Sequence, residues 1–276
     1  HHQKKMTRVA VIGAGAAGLA AARFLRYMRC SVVVYEQTSK IGGTWCYDEN
    51  PGASHSSMYY SLRTNLPTAV MQFNDKRFPD HLPSFVGWSE VEKYLHNFAT
   101  EHNLVECIQF NTICQSVTPL TSSSCSQFCQ WLITSSATSS NQSNLVSKSS
   151  QHNHSKEELF DAVVVCNGHY STPLWPDIPG LASFPHVIHS HSYRKPDAFA
   201  GKRVLVVGSG SSGTDLSLEV AKVASHIFHS VRGVAAAALD SCNNSNSQDE
   251  GEEKVNITKH HDVESITDQG VVSFQG

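Results

Sequence analysis

Apolar and polar positions divide the chain into blocks of different period. Val9 to Gly13 (VAVIG) is a continuous apolar run of strand length, Ala14 to Arg29 carries its apolar residues at helical spacing, and Ser31 to Glu36 (SVVVYE) is a second short apolar run. Two such runs around a helical segment predict buried parallel strands joined by a crossover helix, a βαβ unit. From Thr38 to Trp88 no period is kept and Gly, Pro, Asn and Ser are frequent, which predicts a long layer of loops around a ligand. Ser89 to Asn103 predicts a helix, with Ser89 as its cap and Glu92 three residues on as the partner in a capping box. QFNTICQSVTPL and FCQWLIT read as strands, and LFDAVVVCNG, Leu159 to Gly168, as one buried strand. The Ser/Asn/Gln/His-rich segment at about 135–157 is too polar for a core and predicts a disordered, expanded hairpin loop. The strand-turn-helix-strand pattern then repeats from RVLVV, Arg203 to Val207, to HIFHSVRG. A second low-complexity tract, SCNNSNSQDEGEEK, follows Asp240, and a short hairpin is expected around Gln269 to Phe274.

Composition narrows the class. The 276 residues are 40% apolar with net charge −3, enough for one substantial core or two modest ones and without the basic excess of a nucleic-acid binder. No apolar run approaches the roughly 18 residues of a spanning helix, so no membrane segment is expected. Lys4 and Lys5 ahead of an apolar run imitate a secretory signal, but the glycine spacing accounts for that run. His1 and His2 read as the remnant of a tag, with Met6 as the native start. The eight cysteines form no Cys-x-x-Cys, so neither a metal site nor a redox dithiol is expected, and the chain reads as reduced and cytoplasmic. The sequons at Asn141, Asn153, Asn243 and Asn256 are then accidents of composition.

The candidate chemistry lies at two glycine turns. In the first, Gly13-Ala14-Gly15-Ala16-Ala17-Gly18 follows the apolar strand. Gly13 makes the tight turn, Gly15 admits a pyrophosphate, and Gly18 lets the helix pack close, its N-terminus facing the negative charge. Glu36, at the end of the next strand, is placed to accept hydrogen bonds from a ribose hydroxyl. Gly42, Gly43, Thr44 and Trp45 offer a second backbone approach and an aromatic wall. In the second turn, Gly208-Ser209-Gly210-Ser211-Ser212-Gly213, followed by Thr214 and Asp215, repeats the spacing. Its next strand ends without an acid: Ser230 and Arg232 stand there. A carboxylate repels a 2′-phosphate, whereas serine and arginine bind one, so this site favours NADP over NAD. One tightly held dinucleotide and one that comes and goes imply a flavoprotein, with FAD at the first turn and NADP(H) at the second.

These residues resemble the class B flavin-containing monooxygenases, the N- and S-oxygenases. The resemblance runs from Val9 to about Gly233 and rests on GAGAAG, GGTW, YYSLRTNLPTAVMQFND, VVVCNGHYSTPLWPDIPG, HSHSYRKP and GSGSSGTD. It implies a reduced flavin that reacts with O2 to form a C4a-hydroperoxide, held while NADP stays bound, and that passes one oxygen to an amine nitrogen or a sulfide, as in N,N-dimethylaniline monooxygenase-like enzymes. It also implies that Thr64, Asn65 and Leu66 contact the cofactor, with Asn65 as the catalytic amide, and that His189, His191 and Tyr193 lie in a linker that senses NADP.

The expected fold class is α/β, with two Rossmann-like dinucleotide domains, the second incomplete: an FAD domain over 6–170 and a partial NADP domain over 171–276. Family members continue well beyond this length, so the chain is read as C-terminally truncated, and endoplasmic-reticulum association through an absent segment stays open. Three alternatives remain: a non-catalytic nucleotide-binding remnant, a Baeyer–Villiger monooxygenase, and a flavin disulfide reductase, the last disfavoured by the missing Cys-x-x-Cys. Substrate and oligomeric state are not legible.

Overall fold

The computed structural model describes residues 6–53, 55–121, 128–138, 155–232 and 256–275. These form two compact units: unit 1 holds the described residues up to Met58 and those of Leu62–Thr172, and unit 2 holds Tyr59–Ser61 and those from Pro173 on.

In unit 1, β1 (Arg8–Ile12) leads into α1 (Ala16–Tyr27) and back to β2 (Ser31–Tyr35), the expected βαβ unit. After the single-turn helix α2 (Thr68–Met71) and the longer α3 (Trp88–Glu101), β3 (Ile108–Gln109) joins the sheet edge, β4 (Thr112–Thr121), β5 (Phe128–Ala137) and β6 (Lys156–Phe160) form an antiparallel sheet, and β7 (Ala162–Val165) returns to the first. The parallel sheet has the order β3-β2-β1-β7. Period-two alternation sends its residues to two cores. Val11 and Val34 pack with Leu19 of α1 and Leu95 and Phe98 of α3, while Ala10 and Tyr35 pack with Ile133 and Phe160 of the antiparallel sheet. Both helices end in a left-handed residue that is not glycine, Arg29 (φ 62°) and Asn103 (φ 52°). In each case the next N–H reaches back to a carbonyl of the last turn, Cys30 to Leu25 at 3.0 Å and Leu104 to Ala99 at 2.8 Å, which satisfies acceptors that the helix leaves open.

Three local expectations are corrected. The cap of α3 is Gly87, and no side chain caps it, because the helix starts one residue earlier than Ser89. The run Leu159 to Gly168 is two strands rather than one. Phe160 pairs with Trp131 in the antiparallel sheet and Ala162 pairs with Val9 in the parallel one, and the chain changes sheets at Asp161, whose N–H and carboxylate both bond the Arg8 backbone at 2.8 Å. The polar segment is also shorter than expected, since β5 runs through Ala137 and β6 begins at Lys156; residues 139–154 lie outside the described residues.

In unit 2, β8 (Arg203–Val207), α4 (Ser211–Ala221) and β9 (His226–Ser230) repeat the βαβ order. β10 (Ile257–His260), which the sequence pattern did not reveal, adds in parallel to β9, giving the order β10-β9-β8. β11 (Val263–Ile266) and β12 (Val272–Phe274) form an antiparallel hairpin, with β11 lying upstream of the expected turn. The low-complexity tract after Asp240 falls outside the described residues. The fold is α/β with two Rossmann-type parallel sheets.

Candidate functional site: two dinucleotide turns

At the first turn, Gly13 leaves β1 with φ 103°, a backbone that L side chains rarely adopt. A Cβ there would lie 2.5 Å from the Cys166 carbonyl oxygen. Gly18 faces the turn so closely that a Cβ would lie 1.9 Å from the Gly13 carbonyl oxygen; only glycine lets α1 settle on the strand. Ala16 and Ala17 begin the helix, and its first turn holds no acidic residue, so its N–H groups meet no competing carboxylate of their own.

Glu36 is 6% exposed. Its backbone is fixed by the N–H bond to Gln109 at 3.0 Å and by the bond from Thr112 at 2.9 Å. One carboxylate oxygen accepts the Ala14 N–H at 2.8 Å, and the other accepts the N–H and hydroxyl of Thr38, each at 2.8 Å. A carboxylate has about four acceptor positions, so capacity remains for a ribose hydroxyl. The Gly42 N–H bonds the Ala14 carbonyl at 3.1 Å, which brings the Gly43-Thr44-Trp45 turn against the first: a Cβ on Gly43 would lie 3.1 Å from the Gly15 Cα. Two bare backbones thus face each other, and the Thr44 hydroxyl is buried with no hydrogen-bond partner among the described residues. An unused buried polar atom beside a side-chain-free cradle fits a flavin dinucleotide. Trp45 is half-buried against the helical core, so it does not stand as an open wall.

Thr64 is buried and tied to Val86, donating its N–H to the Val86 carbonyl at 2.8 Å and accepting the Val86 N–H at 3.2 Å. That anchoring turns Asn65 and Leu66 outward; both are exposed. Beside the glycine cradle, the Cys46 thiol donates to the Ile41 carbonyl at 3.1 Å, and burial with the Glu92 carboxylate pushes it up to about 12. Burial also raises the Cys107, Cys114 and Cys166 thiols, so none is poised as a thiolate. The described residues hold no group of His, Cys, Asp and Glu that could bind a metal, and none of their helices is long and apolar enough to cross a membrane.

The second turn copies the backbone of the first. Gly208 has φ 105°, and its N–H bonds the Ser230 carbonyl at 3.1 Å as the Gly13 N–H bonds the Tyr35 carbonyl at 2.8 Å. A Cβ on Gly213 would lie 2.0 Å from the Gly208 carbonyl oxygen. Gly208, Ser209, Gly210, Ser211 and Ser212 are all exposed, as is Thr214. Ser230 is 1% exposed and donates to the His261 carbonyl at 2.9 Å, so its hydroxyl is committed within the protein. The Arg232 side chain is 87% exposed, with its Nε 3.5 Å from an Asp262 carboxylate oxygen.

Sequence reasoning missed Tyr59, Ser61, Glu219 and His229 here, and it did not foresee the contacts that Asp215 and Tyr193 make with Tyr59. Asp215 accepts the Tyr59 hydroxyl at 3.0 Å, and Glu219 accepts the Ser61 hydroxyl at 2.5 Å, so Tyr59–Ser61 is fastened to α4. Burial and the neighbouring Asp215 carboxylate hold the Tyr59 phenol well above its usual range. Tyr193 stacks edge-on against Tyr59 at 5.8 Å, and its phenol is raised by burial and by Glu219. His229 also reaches the turn, with Nε2 2.9 Å from the Gly208 carbonyl oxygen. No spacing rule announces contacts between positions so far apart in the chain.

The chain matches the family described as Flavin-binding monooxygenase-like over residues 6–238. It is 37% identical to flavin-containing monooxygenase FMO GS-OX5 of Arabidopsis thaliana over 97% of its own length and 56% of that relative's. The solved structure of S-allyl-L-cysteine S-oxygenase from Allium sativum is similar over 98% of this chain and 59% of that one, at 31% identity and TM-score 0.79. Oxidized steroid monooxygenase bound to NADP shares the fold at 24% identity, covering 82% of this chain and 39% of that one with TM-score 0.55. The chain thus spans a little over half the length of the Arabidopsis thaliana and Allium sativum relatives. Its paired glycine turns and its match over most of the chain establish that it belongs to the flavin-binding monooxygenase-like family.

Proposed function

We propose that this chain forms the FAD- and NADP(H)-binding part of a monooxygenase that passes one oxygen atom from O2 to a soft nucleophile, with sulfide sulfur ahead of amine nitrogen. The observation that carries the cofactor assignment is the contrast between two turns of one backbone geometry, one closed by the buried carboxylate of Glu36 and the other edged by the exposed Arg232. The preference for sulfur is supported by the Allium sativum S-oxygenase, at 31% identity over 98% of this chain.

Bound flavin, reduced by NADPH, supplies the activation of O2. The protein's own residues bind and orient. Gly15 and Gly43 admit the pyrophosphate, the N-terminus of α1 faces its charge, and Glu36 receives the ribose. Arg232 offers a charge-assisted contact to the 2′-phosphate. Asn65, which is exposed, would offer the bound cofactor an amide that both donates and accepts.

The test is a visible spectrum of the purified chain with added FAD, followed by NADPH oxidation and product analysis with a thioether and with a tertiary amine. A flavin band and sulfoxide formation are expected. A chain that takes up no FAD after reconstitution sinks the reading. Asn65→Ala is expected to keep most NADPH oxidation while hydrogen peroxide replaces the oxygenated product; equal loss of both would remove the role given to Asn65.

A further inference from the structure

Superposing the two turns by their hydrogen bonds makes Tyr35 equivalent to Ser230, since each gives its carbonyl to the first glycine N–H of its turn. The residue before it is then Val34 in unit 1 and His229 in unit 2; Val34 pairs in register with Val11 and His229 with Val206. Both are buried, at 0% and 3% exposure. Valine has no polar group, whereas the His229 Nε2 lies 2.9 Å from the Gly208 carbonyl oxygen. A carbonyl only accepts, so this imidazole carries its proton on Nε2 and donates.

The first turn holds the same peptide from its other end. There, the Gly13–Ala14 peptide is fixed at its N–H, which donates to Glu36 at 2.8 Å. No acid stands at the end of β9, and among the described residues no acceptor takes the Ser209 N–H. A peptide group is planar and trans, so its C=O and N–H point in opposite directions. Fixing the Gly208 carbonyl toward His229 therefore aims the Ser209 N–H to the opposite side, away from the core, in a turn whose residues are exposed.

We propose that His229 is a positioning residue and a specificity determinant for the dinucleotide at the second turn: it fixes the Gly208–Ser209 peptide from below, leaving the Ser209 N–H to donate to the ligand. The inference rests on the reading that this turn holds NADP(H). A ring N–H donor does for this peptide what Glu36 does for the first, without placing a carboxylate where a 2′-phosphate must sit. The device thus combines a preorganised turn with tolerance of the extra phosphate.

The experiment measures NADP+ binding to the full chain by tryptophan fluorescence, alongside FAD uptake and thermal midpoint, for wild type, His229→Val and His229→Gln. Val is the residue at the equivalent place in unit 1, and the Gln amide restores a donor at about the Nε2 position. The expected result is binding about tenfold weaker in H229V, within about threefold of wild type in H229Q, and unchanged FAD uptake in both. H229V binding NADP+ as well as wild type overturns the proposal while leaving the site assignment standing. H229Q falling as far as H229V also overturns it, since burial and packing alone would then decide. A wild-type chain that takes up FAD but binds no NADP+ overturns the assignment of the second turn, and the role of His229 with it. If H229V does not fold, His229→Leu, closer to the imidazole in volume, carries the same comparison.

Discussion

The two glycine turns share their dihedrals, their first hydrogen bond and the close approach of their third glycine, yet they sit in different surroundings. β1 has neighbours on both sides, β2 and β7, and its middle residues are buried. Among the described residues β8 has a neighbour only in β9, and none of its residues is buried. The Gly13 side of the turn meets the Cys166 carbonyl, whereas the space beside Gly208 is open among the described residues. The glycine spacing therefore encodes the path of the backbone. What presses on that path, and what charge waits beside it, is set elsewhere in the chain.

The sharpest way to break this comparison is to add single methyl groups. Gly18→Ala and Gly213→Ala place a Cβ at 1.9 and 2.0 Å from a carbonyl oxygen and are expected to cost the most, about 4 kcal/mol or more each in urea unfolding, because helix and strand must separate. Gly13→Ala adds a backbone clash to its strained φ and is expected to cost about 3–4 kcal/mol, against about 1–2 for Gly208→Ala, where strain alone acts. Equal costs at Gly13 and Gly208 would mean that the second turn is as enclosed as the first.

Acid separates the units next. In unit 1 the Glu158 carboxylate is raised by burial but lowered more by Lys156, Arg8 and the Tyr35 hydroxyl, and ends at about 2 against an ordinary 4.5; its contacts with Arg8 and Tyr35 measure 2.6 and 2.9 Å. Its folded value is depressed, so its stabilisation is complete above pH 4.5 and fades as the pH falls toward 2, a loss on the order of 2 kcal/mol after allowance for the exposed partners. In unit 2, burial and the neighbouring His226 and His261 hold His260 below its ordinary 6.5. It stacks on Phe274 at 4.3 Å with a buried Nε2 that has no partner among the described residues. Its unfolded form binds a proton first, so unit 2 begins to lose stability below pH 6.5. Urea midpoints taken across this range are expected to fall in unit 2 before unit 1, with Glu158→Gln removing the later phase and His260→Phe the earlier one.

Smaller effects concern the charge difference itself. Arg232→Ala is expected to weaken NADPH binding about tenfold, roughly 1.4 kcal/mol, with little change for NADH; equal weakening would remove the phosphate contact. Tyr59→Phe, which deletes the bond to Asp215, is expected to cost unit 2 about 1 kcal/mol in urea unfolding. Smallest is Asp262→Asn, which frees the Arg232 Nε from a loose, exposed pair and is expected to tighten NADPH by less than about threefold.

Local patterns carried much of this molecule. The apolar runs at Val9 and Ser31, with helical spacing between them, are sufficient for a βαβ unit because burying both faces of short parallel strands needs no distant information. Gly13, Gly18, Gly208 and Gly213 were legible for the same reason: each requirement is steric and acts within a few residues. The absence of an acid after the second turn was likewise written in Ser230 and Arg232.

Tertiary structure decided what those positions do. Ser230 stands at the end of β9 as the sequence requires, but only the parallel addition of β10, across residues whose pattern is not strand-like, gives its hydroxyl to the His261 carbonyl. Leu159 to Gly168 reads as one strand because its hydrophobicity is continuous, and it becomes two because Asp161 finds the Arg8 backbone, 153 residues away. His229 looks like an interruption in an apolar strand until the Gly208 carbonyl lies beside it. Sequence spacing fixes the local dihedrals and glycine positions. Hydrogen bonds between distant segments, which exist only once two sheets have assembled, fix which polar groups remain free to meet a ligand.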